Sequence, residues 1–470
     1  MFQPVFVSGV LVVCAIAAAG DAPTDGLAVA RSPEGKAYLT YKGEPLFAFG
    51  PGDEMRILSG AADVKRWAAW QQGHGMNLLR AYPVSVPLSM YGAEGLDPFQ
   101  RRGEKWDVDA WNEAYFEHLR NVAAVLEEHD IILHLQLWQI TFFKSGPTRW
   151  DANYLNPKNN VNEWTRTLDR GRDYIDAPEG SPARRHQQEW VRRVLDAVKG
   201  RGNVWIDIIN ELGNEMGTLP WARETALYVR TLEKEQGRTW LVGVDSEHHY
   251  RPDLFGPFAD SFDLIILNEL RSPTHARTAI AAFNKPAVSV RSSDGSNRYE
   301  DYVFARPDQT GPEHQTRYRT LCYRSLFSGL QAVGAYWKPE VHDADYQTMA
   351  SWPRYAQALR RFWKAVASEW PRLEVDDAIV ASDTVTPHAC GLRSNRIHLV
   401  YLDCGPRAWN TAYPASELVV TCPFRSYRVS LFNPRNGEFT SVEASRETNG
   451  IHVPLPEFME DHVILIEKRD

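Results

Sequence analysis

Residues 203–217 read NVWIDIINELGNEMG, a bulky apolar run that ends in two Asn-Glu pairs, Asn210-Glu211 and Asn214-Glu215. Carboxylates at the end of a buried strand suit acid–base work. Glycoside cleavage needs one carboxylic acid beside the scissile oxygen and a second carboxylate that attacks or activates water. An Asn just before the acid can hold the sugar 2-hydroxyl, a contact that strengthens as positive charge develops on the ring. Residues 204–210 make a strand of ordinary length. That register puts Glu211 at the strand end and leaves Glu215 in the following loop, where Gly213 and Gly217 supply turn chemistry or Glu215 a ligand contact.

Such a group needs a scaffold that brings several strand ends together. Eight short apolar runs, at 46–50, 76–80, 131–138, 204–210, 239–245, 264–268, 287–290 and 332–337, are nearly continuous rather than alternating. Strands covered on both faces look like this. Amphipathic stretches at 64–72, 111–128, 182–198, 221–235, 274–283, 316–328 and 352–368 lie between them, and the fifth connection, around 252–259, is short and weakly helical. Repeated strand-then-helix units predict an α/β fold, a (β/α)₈ TIM barrel, over residues 26–370. A doubly wound open sheet is disfavoured because no glycine-rich phosphate loop follows the first strand. From residue 371 to 470 helical periodicity disappears and short strands alternate with turns, which predicts a small all-β sandwich domain.

In a barrel the functional groups stand at the carboxyl ends of the strands. Those ends offer Arg80, His134 with Trp138, Asn210-Glu211, Asp245 with Glu247 and His248, Asn268-Glu269, Arg291 and Trp337. Polar and aromatic groups converging on one mouth suit a hydroxyl-rich ligand, a carbohydrate. No cofactor is implied. Asp245, Glu247, His248 and His249 do not make a convincing metal site, since adjacent His residues seldom point at one ion and no HExxH helix is present. A serine hydrolase is disfavoured by the lack of a G-x-S-x-G elbow.

Composition bounds the partners. The chain has 470 residues, 43% hydrophobic and 24% charged, with a net charge of −8. Its arginine pairs are scattered and form no basic stripe, which argues against nucleic acid. Residues 1–20 carry no charged side chain, and small residues follow an apolar core, as in a secretory signal peptide. The expected location is therefore secreted or periplasmic. An N-terminal anchor or a lipoprotein attached through Cys14 are the alternatives. Export leaves Cys322, Cys390, Cys404 and Cys422, either as buried thiols or with two of them joined in a disulfide.

The run VWIDIINE resembles the fourth-strand signature of the clan A glycoside hydrolases, whose acid/base Glu follows an Asn. NLLRAYP, LHLQLW and GAYW are similar to that clan's second, third and eighth strands. The resemblance implies that Arg80 orients the nucleophile, that His134 and Trp138 lie at the site, and that Trp337 forms a platform under the sugar. Within the clan the likeness is to apiosidase-like hydrolases, which join such a barrel to a C-terminal sandwich of collagen-binding type. YRVSLFNPRNGEF resembles that domain's asparagine-proline-arginine turn.

One departure bears on the chemistry. The clan's nucleophilic Glu ends the seventh strand, where this chain reads KPAVSVRSSDGSNRYED, with Arg291 and Ser292 at the expected place. Glu269 at the end of the sixth strand is the leading second carboxylate, and Asp294 or Glu300 in the loop are alternatives. Without any of them the barrel is a carbohydrate-binding pseudoenzyme. The expectation is a glycoside hydrolase with Glu211 and Glu269 as catalytic groups, and with Asn210, Arg80, His134, Trp138, His248 and Trp337 lining the sugar.

Overall fold

The computed structural model describes residues 25–52, 56–83, 85–87, 89, 94–213, 217–246, 250–270, 273–292, 312–336, 352–380, 388–404 and 410–469. Eight parallel strands form one closed sheet: β1 Ala48–Gly52, β2 Leu78–Ala81, β3 Ile132–Trp138, β4 Val204–Ile209, β5 Leu241–Ser246, β6 Leu264–Leu270, β7 Ala287–Ser292 and β8 Ala332–Tyr336. The first seven pairings run in chain order from β2 to β8 and on to β1. The last gap closes where the Asn77 N–H donates to the Phe49 carbonyl at 3.0 Å and the Asn77 side chain accepts from the Phe49 N–H at 3.1 Å. Backbones approach so closely there that a methyl on Gly50 would overlap the Leu78 carbonyl.

A helix follows each strand: α1 Val64–Gly73, α2 Glu113–Glu128, α3 Pro182–Val198, α4 Leu219–Gln236, α5 Pro252–Phe255, α6 Pro273–Phe283, α7 Pro312–Phe327 and α8 Trp352–Val366. Their starts follow from local chemistry. The Asp63 carboxylate caps α1 by accepting from the N–H groups of Lys65 and Arg66, and Ser181 and Thr218 cap α3 and α4 with a proline just inside each helix. α5 is a single turn that continues into a 3₁₀ segment, Gly256–Ser261.

Strand alternation sorts the side chains into two layers. Leu133, Leu135, Leu137, Ile206 and Ile208 face the helices, while Ala48, Leu78, Ile132, Trp205, Leu241, Leu264, Ile266, Val288, Val290 and Ala332 fill the lower barrel with Leu39 and Leu46. An N-terminal hairpin, Leu27–Arg31 paired with Ala37–Tyr41, covers this end. A second hairpin, Phe99–Arg102 with Lys105–Trp111, lies in the long connection from β2 to α2. Three of these four strands have only four or five residues, too few to carry a periodic signal; the fourth, KWDVDAW, alternates but lies in a connection between barrel strands.

The C-terminal region is antiparallel. One sheet has the order β9-β10-β11-β17-β13-β14, and the other β12-β16-β15. Their ranges are β9 Glu374–Val375, β10 His388–Arg393, β11 Ile397–Asp403, β12 Ser416–Val420, β13 Tyr427–Asn433, β14 Glu438–Val442, β15 Ser445–Glu447, β16 Gly450–Leu455 and β17 Asp461–Lys468. The architecture is thus the expected TIM barrel followed by an all-β sandwich. Cys322, Cys390, Cys404 and Cys422 are buried free thiols, which removes the disulfide alternative. Among the described residues no helix is long and apolar enough to cross a membrane. The N-terminal segment 1–20 lies outside them.

Candidate active site

Above the apolar plug the inward positions turn polar. On β4, Asp207 follows Trp205 by two residues and so points into the barrel. Its Oδ1 accepts from the Asp245 backbone N–H at 3.0 Å, and its Oδ2 accepts from Gln136 Nε2 at 3.1 Å and lies 3.1 Å from His134 Nε2. One layer higher, Arg80 Nη2 donates to Asn210 Oδ1 at 2.7 Å and lies 3.4 Å from Asp245 Oδ2, which also accepts from Asn268 Nδ2 at 2.9 Å. All of these side chains are buried. Buried charges persist when opposite charges and hydrogen bonds offset their desolvation. Here Arg80 faces Asp245 at 3.4 Å.

The network also fixes the Asn210 amide. A guanidinium only donates, so Arg80 holds the amide oxygen and the Nδ2 donor faces away. That Nδ2 has no hydrogen-bond partner among the described residues, nor do Gln136 Oε1 and Asn268 Oδ1. Native interiors seldom leave such atoms orphaned, and three of them in two adjacent layers mark a place where water or ligand completes the bonding.

Glu211 sits on this layer. Its φ of 58° is left-handed, a costly conformation for a side chain with a Cβ. Both neighbours are pinned: the Asn210 N–H donates to the Trp138 carbonyl on β3 at 3.1 Å, and the Leu212 N–H to the Asp245 carbonyl on β5 at 2.9 Å. The carboxylate is 13% exposed, and Oε2 stands 3.6 Å from Lys144 Nζ. Lys144 follows the 3₁₀ turn Ile140–Phe143 in the connection after β3.

Of the residues expected from sequence, the fold therefore brings Arg80, His134, Asn210 and Glu211 to one end of the barrel. His134 is buried beside Asp207, with its ring 5.4 Å from Trp205, and lies beneath the rim. Trp138 is 3% exposed and packs on Trp221 of α4, with ring centroids 5.4 Å apart. Glu269 ends β6 and is the register partner of Arg291 at the end of β7. His248 and Trp337 lie outside the described residues, as do Glu215, Glu247, Asp294 and Glu300. Sequence reading missed Asp207, Gln136 and Lys144. For the first two the signal was present, since His134 and Gln136 recur at every second position of LHLQLW and Asp207 is the lone polar residue of VWIDII, two after Trp205. Lys144 lies on a loop, where no periodicity applies.

No family model matches the chain, and no curated protein does. Solved structures do. One described as a glycoside hydrolase aligns with a TM-score of 0.60 at 12% identity, covering 95% of this chain and 98% of its own. A family 5 glycoside hydrolase from Bacteroides vulgatus ATCC 8482 aligns with a TM-score of 0.59 at 12% identity, over 94% and 93% of the two chains. The chain shares its fold with solved glycoside hydrolases. A third match, a family 30 subfamily 8 xylanase from Clostridium acetobutylicum, has a TM-score of 0.50 at 10% identity and covers 91% and 97%. The coverage includes the C-terminal sheets as well as the barrel.

Proposed function

We propose that this chain is a glycoside hydrolase with Glu211 as general acid/base. The observation that carries the reading is the pinned, left-handed backbone at Glu211, which holds a partly exposed carboxylate beside the orphaned Asn210 Nδ2. Strain of this kind, roughly 1–3 kcal/mol, persists where the surroundings over-determine it, and it clusters at active sites. In this reading Glu211 protonates the leaving oxygen, and Asn210 Nδ2 donates to the sugar 2-hydroxyl. Arg80 holds the Asn210 amide in that orientation. His134 acts through Asp207 as a positioning group, and Trp138 backs the wall of the site through Trp221. His248 and Trp337 complete the sugar contacts, with Trp337 as platform.

Glu269 is the proposed second carboxylate. If it acts as a base on water, the two carboxyl groups stand roughly 6.5–9.5 Å apart and configuration inverts; as a nucleophile it would stand about 5–5.5 Å away. We place the catalytic unit at residues 26–370 and the sandwich at 371–470, of apiosidase-like and collagen-binding type, in an exported protein with a signal peptide at 1–20. A second reading has support of its own: Arg291, in backbone register with Glu269, stands near the end of β7 where the resemblance implies a nucleophilic Glu, as in a barrel that binds sugar without cutting it.

Glu211→Gln separates the two. In a hydrolase it lowers turnover of a competent glycoside about 10²–10⁴-fold, the range for a lost general acid/base, with an unchanged circular dichroism spectrum. Retained activity in the folded variant overturns the assignment. Absence of hydrolysis in the wild type across a panel of plant and microbial glycans, with binding intact, establishes the binding-only reading.

A further inference from the structure

A groove of about 1000 Å³ opens in the C-terminal region, away from Glu211, between β13–β14, the segment 454–459 and the first turn of α8. Its volume is at the upper end for ligand sites. Tyr355, Arg435, Glu443, Glu457 and His462 contribute to its walls. The Arg435 guanidinium and the carboxylates of Glu443 and Glu457 have no ion pair or hydrogen bond among the described residues. His462 is the telling member: it is only 7% exposed, and its Nδ1 has no hydrogen-bond partner there. The ring borders the groove while Nδ1 itself lies beneath its surface, where an ordered water can complete the bonding.

The chemistry of the walls narrows the ligand. Glu438, Glu443 and Glu457 outnumber Arg435, so a polyanion is repelled. Burial pushes the His462 pKa down to about 4, leaving a neutral ring with one donor and one acceptor. Hydroxyl groups match both: vicinal diols donate to carboxylates and accept from a guanidinium or an imidazole N–H.

α7 and α8 follow β7 and β8, so their N-terminal ends lie at the mouth end of the barrel. Thr316 in the second turn of α7 and Arg319 at its middle bind Glu460 and Asp461. Tyr355, in the first turn of α8, brings one barrel helix into the wall of the groove.

We propose that this groove is a second carbohydrate-binding site, which takes a neutral, hydroxyl-rich polysaccharide chain. Binding in the groove does not depend on the function proposed above. The test uses the full chain carrying Glu211→Gln, so that hydrolysis does not interfere, in native gels containing glucomannan, xyloglucan, arabinoxylan or polygalacturonate. At least one neutral polymer should retard migration and polygalacturonate should not. Arg435→Ala/Glu457→Gln should weaken that retardation about tenfold or more, equivalent to about 1.4 kcal/mol. His462→Phe should do likewise where its circular dichroism matches the parent. No retardation by any neutral polymer, stronger retardation by polygalacturonate, or retardation unchanged in the surface double variant overturns the proposal. Loss of hydrolysis alone bears on Glu211 and not on the groove.

Discussion

Asn210 and Glu211 divide two tasks that one residue type cannot combine. Glu211 keeps a small exposed edge on a backbone its neighbours force into the left-handed region, while Asn210 is buried and oriented from below by Arg80. Arg80 is thus the residue on which the upper layer depends. Replacing it with Met leaves Asp245 buried without its cation, a change that costs about 3–5 kcal/mol when one partner of a buried pair is removed. Urea unfolding of Arg80→Met should show a loss of that size, and adding Asp245→Asn should recover part of it. Equal stability of the two variants would mean that Arg80 and Asp245 are not energetically coupled.

At the scale of elements, the connections after β2 and β3 are built as a second shell around the barrel, and His186 of α3 ties them together. Its Nε2 lies 3.0 Å from the Val108 carbonyl in the hairpin, its Nδ1 lies 3.0 Å from the Tyr174 hydroxyl, and its ring stacks on Trp111 at 4.9 Å. A neutral ring satisfies both contacts, with Nε2–H donating and Nδ1 accepting. Burial pushes its pKa down from 6.5 to about 4, with the Val108 carbonyl pulling weakly the other way. A depressed histidine means that the unfolded chain binds more protons between these values. Stability is therefore fully present above pH 6.5 and falls as the pH drops toward 4, by on the order of 3 kcal/mol for this group. Melting temperatures followed across that window should fall with pH in the wild type and fall less steeply in His186→Asn. Parallel slopes would show that His186 is not the sensor.

Across the whole molecule, barrel and sandwich are joined by buried charge. Arg319 of α7 reaches Asp461 through two hydrogen bonds, at 3.0 and 2.6 Å, and Glu460 at 2.8 Å; Thr316 adds a bond to Glu460 and Tyr401 one to Asp461. The side chains of Arg319, Glu460 and Asp461 are all at most 3% exposed. Apolar contact continues around them, with Tyr323 stacked on Tyr401 at 5.3 Å and Phe362 against Phe432 at 5.2 Å. Arg319→Met strands two carboxylates and should destabilise the protein by about 3–5 kcal/mol in a denaturant titration, whereas Arg319→Met/Glu460→Gln/Asp461→Asn should lose less. A single variant as stable as the wild type would mean that the two parts hold together by apolar packing alone.

The amino-acid sequence by itself determined the eight strands, most of their helices and the change to short antiparallel strands after residue 371. Those features rest on local periodicity, which each segment carries within its own residues. It also singled out Asn210-Glu211, because a polar pair at the end of an apolar strand needs no knowledge of the neighbours. Tertiary structure alone decided that His134 lies beneath the rim on Asp207, that Trp138 packs on Trp221, and that Lys144 stands beside Glu211. Each of these depends on which distant strand or loop arrives next to it. It also decided that the four described cysteines stay apart as thiols, and that Arg319 of the barrel meets residues 141 and 142 positions away in the sandwich. Contacts across such separations are set by how the closed sheet stacks its neighbours, and no pattern within a single segment encodes them.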